Sequence, residues 1–282
     1  LTPAARASFF HRAADLFVAR QQEFAQMLIA ETGSGFGKAM FECSLVPLAL
    51  REAAGLPTRE IGAIYPSQVP GKRNITLRSP RGVIGAISPW NFPLYLSLRG
   101  FVYALALGNT IVLKPSEDSP ISGGLMLAKL FAEAGFPAGT LNVVTTDRDN
   151  AALVGKAFVE DKRIAGLSFT GSTGVGRLLA TECASKFKPI MLELGGKNPV
   201  IVFDDADLDR AVDLAFFGSF LHQGQICMST DRVLVARPLY ESFLAKLLAK
   251  TAHFEPTAPQ EPTCVVGPII NRRQFDRIAG LL

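Results

Sequence analysis

The sequence predicts an α/β protein organised on a parallel sheet, and three observations predict it. Apolar runs of strand length recur from residue 83 onward, and stretches of helical periodicity alternate with them. Glycine, proline and small polar residues punctuate the points where runs hand over to helices. The 282 residues are 48% hydrophobic and 19% charged, ordinary globular material for one large domain or two.

Residues 3–31 carry Phe9, Ala13, Leu16, Phe17, Phe24, Met27 and Leu28 at helical intervals, which predicts one amphipathic helix or two. Gly33, Gly35 and Gly37 break the pattern, and a second helix follows over 38–54 with Cys43 in its core. Over 59–87 the period changes to two. Ile61, Ala63 and Tyr65 alternate, a turn spans 66–72, and Ile75 and Leu77 resume, which predicts a projecting β-hairpin. Such an arm serves as an oligomer contact or as a plain surface hairpin.

Residues 83–87 read as a strand running into Ser88-Pro89-Trp90-Asn91-Phe92-Pro93. The two prolines fix backbone angles and hold the Asn91 amide in a defined direction. Asn91 is then either a turn asparagine or a donor aimed at a reacting oxygen. A buried helix over 94–107 and a strand over 109–114 follow, then Lys114-Pro115-Ser116-Glu117 just beyond that strand's carboxyl end, where open α/β sheets bind ligands. A loop salt bridge is the other reading of Lys114 and Glu117. Helix 121–134, strand 141–144, helix 151–158 and strand 164–169 come next.

Thr170 to Gly176 then forms a glycine-rich turn into a helix ending near 187, with Gly171, Ser172, Thr173, Gly174, Val175 and Gly176 placed to offer backbone N–H groups to an anion. Its spacing is not that of the G-x-G-x-x-G fingerprint. Glu193 lies in a strand over 189–194, Gly195 and Gly196 follow it, and a further strand runs over 200–203. Asp204, Asp205 and Asp207 cap a helix to about 220, a helix terminus rather than a metal site. Cys227 lies in a polar turn with Gly224, Gln225 and Ser229, a setting for a nucleophilic thiol or for a small buried hydrophobe. A strand over 232–236, a helix over 238–250, a loop over 256–262 and a helix over 274–282 complete the chain.

Composition narrows the function classes. Net charge is +4, from 29 basic and 25 acidic residues without a basic run, which argues against nucleic acid. The longest apolar run, 100–113, is too short and glycine-interrupted to span a bilayer, and no signal peptide is visible, so a soluble protein is expected. Cys43, Cys183, Cys227 and Cys264 form no C-x-x-C pair, and His11, His222 and His253 have no metal-ligand spacing. No metal and a reducing, cytoplasmic compartment follow as expectations. Leu1 enters a helix almost at once, and the last residues keep helical spacing to the end, so the chain is expected to be an internal piece of a longer protein.

Five segments, taken together, resemble one family in order and spacing: Ser88 to Pro93, Lys114 to Glu117, Phe169 to Thr173, Glu193 to Lys197 and Gly224 to Cys227. The sequence resembles the aldehyde dehydrogenase superfamily over essentially its whole length. Residues 93–99 and 220–232 look most like the branch acting on aromatic aldehydes such as benzaldehyde, vanillin and salicylaldehyde. The resemblance implies a Rossmann-like cofactor domain over 1–59 and 82–194, an oligomerisation hairpin over 60–81, and the first part of an α/β catalytic domain over 195–282. It implies a homodimer or homotetramer of the full-length protein.

It also implies a mechanism. Cys227 attacks the aldehyde, and the Asn91 amide and the Cys227 N–H hold the resulting oxyanion. Hydride loss leaves a thioester, and Glu193 activates the water that hydrolyses it. Lys114 and Glu117 bond the adenosine ribose. Glu117 repels a 2′-phosphate and so favours NAD, while Lys114 offsets that repulsion in part and leaves NADP open. Gly171 to Gly176, with the Ser172 hydroxyl, meets the pyrophosphate, Trp90 packs near the cofactor, and Arg99 faces the substrate ring. The alternatives are a CoA-acylating dehydrogenase, which a hydrolytic Glu193 argues against, a thiol hydrolase pairing Cys227 with His222, and a non-catalytic protein or fragment.

Overall fold

The structure, a computed structural model, describes residues 1–252, 256–261, 263–264 and 266–281. Expectations falling on His253, Pro262 and Leu282 lie outside the described residues.

Three helices open the chain: α1 (Pro3–Ala19), α2 (Gln21–Thr32) and α3 (Phe36–Gly55). The Thr2 hydroxyl accepts from the Ala5 N–H to start α1, and a kink at Arg20 makes two helices of the first periodic stretch. Gly33 ends α2 at φ 64°, a left-handed conformation that suits a residue without a Cβ. The hairpin follows as β1 (Gly62–Pro66) and β2 (Arg73–Leu77), antiparallel and exposed along most of its length.

A five-stranded sheet forms the centre, from β3 (Val83–Ile87), β4 (Thr110–Lys114), β5 (Leu141–Val143), β6 (Ile164–Thr170) and β7 (Ile190–Glu193). Every pairing is parallel and the spatial order is β5-β4-β3-β6-β7. The crossovers are α4 (Pro93–Ala106), α5 (Met126–Glu133), α6 (Ala151–Glu160) and α7 (Thr173–Ser185). One cluster joins α1 to α5 through Phe10, Phe17, Phe101, Phe131 and Leu113, and a second joins β6, α6 and α7 through Phe158, Phe169 and Leu179. Because β3 and β6 are neighbours whose following helices belong to different clusters, the order reverses between them. Open α/β sheets bind ligands at such a reversal, outside the carboxyl ends of the strands.

The helix expected over 121–134 begins instead as a π-helical turn, Ile121–Leu125, before α5. Gly123 and Gly124 press on Pro93 and Pro115 there, and the Glu31 carboxylate accepts from the N–H groups of Ile121 and Ser122. The helix expected to reach 187 stops at Ser185, since Phe187 adopts φ 52°.

A smaller unit follows. Strands β8 (Asn198–Val202) and β9 (Thr230–Val235) pair in parallel, and α8 (Leu208–Phe220) and α9 (Tyr240–Thr251) cover one face through Val202, Val212, Ala215 and Phe243. Asp207 caps α8 by accepting from the Arg210 N–H, as expected for the acidic turn. The last helix, α10 (Arg272–Ala279), starts earlier than its spacing suggested because Asn271 caps it.

Candidate active site

Parallel strands place the loops that follow them on one edge, so the segments after β3, β4, β6 and β7 converge although they are far apart in sequence. The loop after β3 carries Trp90 and Asn91, that after β4 Glu117, and that after β6 Gly171 and Ser172, while Lys114 and Glu193 end β4 and β7.

Cys227 lies in the turn before β9 and is half-buried, whereas Cys43, Cys183 and Cys264 are buried and all four are free thiols. Burial first, then the neighbouring Glu42 carboxylate, pushes the Cys43 thiol up to about 12, and burial raises Cys183 too. Those two are poor thiolates at neutral pH. Two asparagines hold the Cys227 turn. The Asn91 Nδ2 donates to the Gln225 carbonyl at 2.8 Å. The Asn198 Nδ2 donates to the carbonyls of Cys227 and Ser229 at 2.9 and 3.0 Å. The Asn91 amide keeps a second hydrogen, since a carboxamide nitrogen carries two. Its Oδ1 is buried without a partner.

The loop bearing Asn91 rests on α3. Lys38 and Glu42 form a buried ion pair, 2.6 Å between Nζ and Oε2. Glu42 also accepts from the Tyr95 N–H at 3.0 Å, in the first turn of α4, and the Lys38 Nζ sits 4.2 Å from the centre of the Phe92 ring. Phe92 in turn meets His222 edge-on. His222 is buried, takes φ 51°, and neither of its ring nitrogens has a hydrogen-bond partner among the described residues. Burial first, then the Lys38 charge, holds its pKa well below the ordinary histidine value. A Cys227–His222 dyad is therefore not formed, which removes the geometric basis of the thiol-hydrolase alternative.

Glu193 is exposed and its Oε2 lies 3.5 Å from Arg99 Nη2 on α4. Arg99, read from sequence as facing the substrate, thus meets the carboxylate read as the general base. Trp90 is half-buried beside His222.

Lys114 and Glu117 contact each other at 3.4 Å. Lys114 is buried and also donates to the Pro115 carbonyl, while Glu117 keeps part of its carboxylate accessible. Burial pushes the Glu117 pKa up, but its own backbone N–H and Lys114 outweigh that and lower it, leaving an ionised acceptor suited to ribose hydroxyls. At the start of α7 the Ser172 hydroxyl accepts from the Val175 N–H, Thr173 and Val175 are exposed, and a Cβ on Gly174 would meet nothing within 4 Å. That open helix N-terminus fits a pyrophosphate. Gly171 and Gly176 have a different reason to be glycine. A Cβ would stand 2.6 Å from Phe169 in the first case and 2.5 Å from Leu194 in the second, so packing within the protein accounts for both.

Sequence reading gave no role to Asn198, to the Lys38–Glu42 pair, or to Arg148, whose Nη1 lies 3.2 Å from Glu117 Oε1. Among the described residues no group of His, Cys, Asp and Glu could hold a metal, and no helix is long and apolar enough to cross a membrane. A cleft of about 570 Å³ lined by Lys162, Ile164, Lys186 and Phe187 lies at the amino-terminal end of β6, the edge opposite these residues.

The model of the Aldehyde dehydrogenase family matches residues 1–282. A benzaldehyde dehydrogenase of Bacillus subtilis is 43% identical over 98% of this chain and 56% of its own length. A vanillin dehydrogenase of Amycolatopsis is 44% identical over the same shares. The crystal structure of a salicylaldehyde dehydrogenase from Pseudomonas putida, complexed with salicylaldehyde, superposes with a TM-score of 0.96 at 38% identity, over 100% of this chain and 58% of that one. The chain thus spans a little over half the length of the relatives it matches.

Proposed function

The chain belongs to the aldehyde dehydrogenase family, and from that premise we propose that the protein containing it oxidises an aldehyde, aromatic by preference, to the carboxylic acid with NAD. One observation carries the reading: a half-buried thiol whose turn is held by Asn91 from the cofactor sheet and by Asn198 from the strand that follows Glu193.

In this reading the Cys227 thiol gives its proton to solvent water and its Sγ attacks the aldehyde carbon as the thiolate. The Cys227 N–H and the second N–H of Asn91 receive the oxyanion, a type of donor whose loss costs about 3 to 4 kcal/mol in the transition state. Lys114, Glu117, Trp90 and the start of α7 would hold NAD, which would supply the hydride acceptor needed for the Cys227 adduct to become a thioester. Glu193 then takes a proton from the water that attacks the thioester carbon, the C–S bond breaks, and the departing Cys227 thiolate takes that proton up. Arg99 positions that carboxylate and faces the substrate ring. Benzaldehyde, vanillin and salicylaldehyde appear in the names of the relatives, which supports an aromatic substrate.

The domain division follows the same reading: cofactor binding over 1–59 and 82–194, catalysis from 195 onward, and subunit contact through the hairpin 60–81. Ile64, Tyr65, Ile75 and Leu77 are each more than half exposed on that hairpin, an apolar arm suited to an adjoining subunit of a homodimer or homotetramer. Ile201 and Phe203 are similarly exposed at β8 and Leu234 about half exposed on β9, a face suited to a further catalytic segment. Four unpaired cysteines suit a reducing cytoplasm.

The test is a steady-state assay of the whole protein with benzaldehyde and NAD, following reduced nicotinamide, beside a Cys227→Ser variant. Turnover in the first and none above background in the second is expected. Turnover surviving Cys227→Ser, or silence with aromatic and aliphatic aldehydes alike, would overturn the reading.

A further inference from the structure

The loop between β5 and α6 brings a cation to the ribose carboxylate from outside the motifs. Arg148 Nη1 lies 3.2 Å from Glu117 Oε1, while Lys114 Nζ lies 3.4 Å from Oε2 of the same carboxylate. One acid is therefore shared by two bases, and the triad carries a net charge of about +1 at neutral pH. Three further acids stand close: Asp118 interacts with the charges of Glu117, Arg148 and Lys114, and Asp147 and Asp149 flank Arg148 in the chain, so it is the free donors of Arg148 rather than a net positive field that matter here. Asp118 accepts from Asn271 at 3.2 Å and meets Arg273, Asp147 accepts from the Asn150 backbone and side chain, and Asp149 is exposed.

The two bases differ in freedom. Lys114 is buried and tied to the Pro115 carbonyl, but the Arg148 side chain is more than half exposed and, among the described residues, its guanidinium bonds only to Glu117. A guanidinium has five N–H donors, so four stay free, and their planar fork matches two oxygens of a phosphate. An isolated carboxylate at this position repels a 2′-phosphate. Here Lys114 stays on the carboxylate, and Arg148 is placed to turn its free N–H groups to a phosphate beside it.

We propose that Arg148 is a specificity-determining residue for the cofactor. It neutralises Glu117 when the ribose carries a free 2′-hydroxyl and turns to bind the phosphate when the ribose carries one, so the protein accepts 2′-phosphorylated dinucleotides as well as NAD. The inference rests on the reading of the loop after β4 as the adenosine-ribose site.

Direct binding separates the two claims. ADP and adenosine 2′,5′-bisphosphate are titrated calorimetrically into the protein, into Arg148→Ala and into Arg148→Lys, with thermal unfolding as a check that the variants fold. The unsubstituted protein is expected to bind both nucleotides. In Arg148→Ala the affinity for the 2′-phosphorylated ligand falls about ten- to a hundredfold, the size of one lost charge-assisted contact, while that for ADP changes less than about threefold. Arg148→Lys falls between, because an ammonium keeps the charge without the fork. Equal loss of both ligands, loss of neither, or binding of ADP alone by the unsubstituted protein overturns the role of Arg148. Absence of binding by either ligand overturns the ribose-site reading, and the inference with it.

Discussion

The five-stranded sheet and the β8–β9 pair are built from the same kind of strand and finished to different degrees. The first is parallel throughout and covered on both faces, by the cluster of α1 to α5 on one side and of α6 and α7 on the other. The second is also parallel, yet only α8 and α9 cover it, and Ile201, Phe203 and Leu234 stand in solvent. Parallel sheets are stable where both faces are buried. The difference teaches that the five-stranded sheet is packed on both faces by its own helices, while Cys227, the proposed nucleophile, lies where the smaller unit meets that sheet. The Asn91 bond to Gln225 crosses that seam.

The seam is tested most severely at Asn91. Asn91→Ala removes the proposed oxyanion donor together with the cross-seam bond, and turnover should fall about a hundred- to a thousandfold. Stability should change little. Loss of turnover matched by loss of folded protein would instead make Asn91 a structural residue.

Core substitutions sharpen the contrast between the halves. Phe101→Ala opens a cavity in the large cluster and should cost about 3 to 5 kcal/mol in the main unfolding transition. Phe243→Ala sits in the four-residue cluster of the smaller unit and should raise amide exchange in β8 and β9 while leaving the main transition in place. An equal shift of the main transition by both would show one cooperative unit.

The smallest effect concerns acid. His222 is buried neutral with a lowered pKa, so the unfolded chain binds its proton more readily than the folded one. That contribution is fully present above the unfolded value near 6.5 and is lost as pH falls from there toward the folded value, by up to about 1.4 kcal/mol per pH unit. Thermal melts of His222→Asn, a residue that tolerates the left-handed backbone, should show a flatter dependence below pH 6.5. An unchanged slope would assign acid sensitivity to other groups.

Much of this was legible in the sequence, for a physical reason. Apolar runs such as Ile111 to Leu113 announce buried parallel strands, and in such a sheet whatever follows a strand lies on the ligand edge. That logic brings Asn91, Lys114, Glu117 and Glu193 to one side. Contacts between distant segments left no local trace. Arg148 meets Glu117 across 31 positions, and Asn198 reaches Cys227 across 29. Lys38 and Glu42 have the spacing of an exposed helical pair, and only tertiary packing buries them. The glycines of 171–176 carried two meanings that sequence does not separate, room for a ligand at Gly174 and room for Phe169 and Leu194 at the other two.

The central claim is that Cys227 carries the acyl group and Glu193 releases it, and trapping tests this most directly. Glu193→Gln in the whole protein, incubated with benzaldehyde and NAD, should accumulate a benzoyl adduct. Intact-protein and peptide mass spectrometry should locate it on Cys227 and find none when NAD is omitted. A benzoyl group on another residue, or no adduct in a variant that still binds NAD and has lost turnover, would contradict the account.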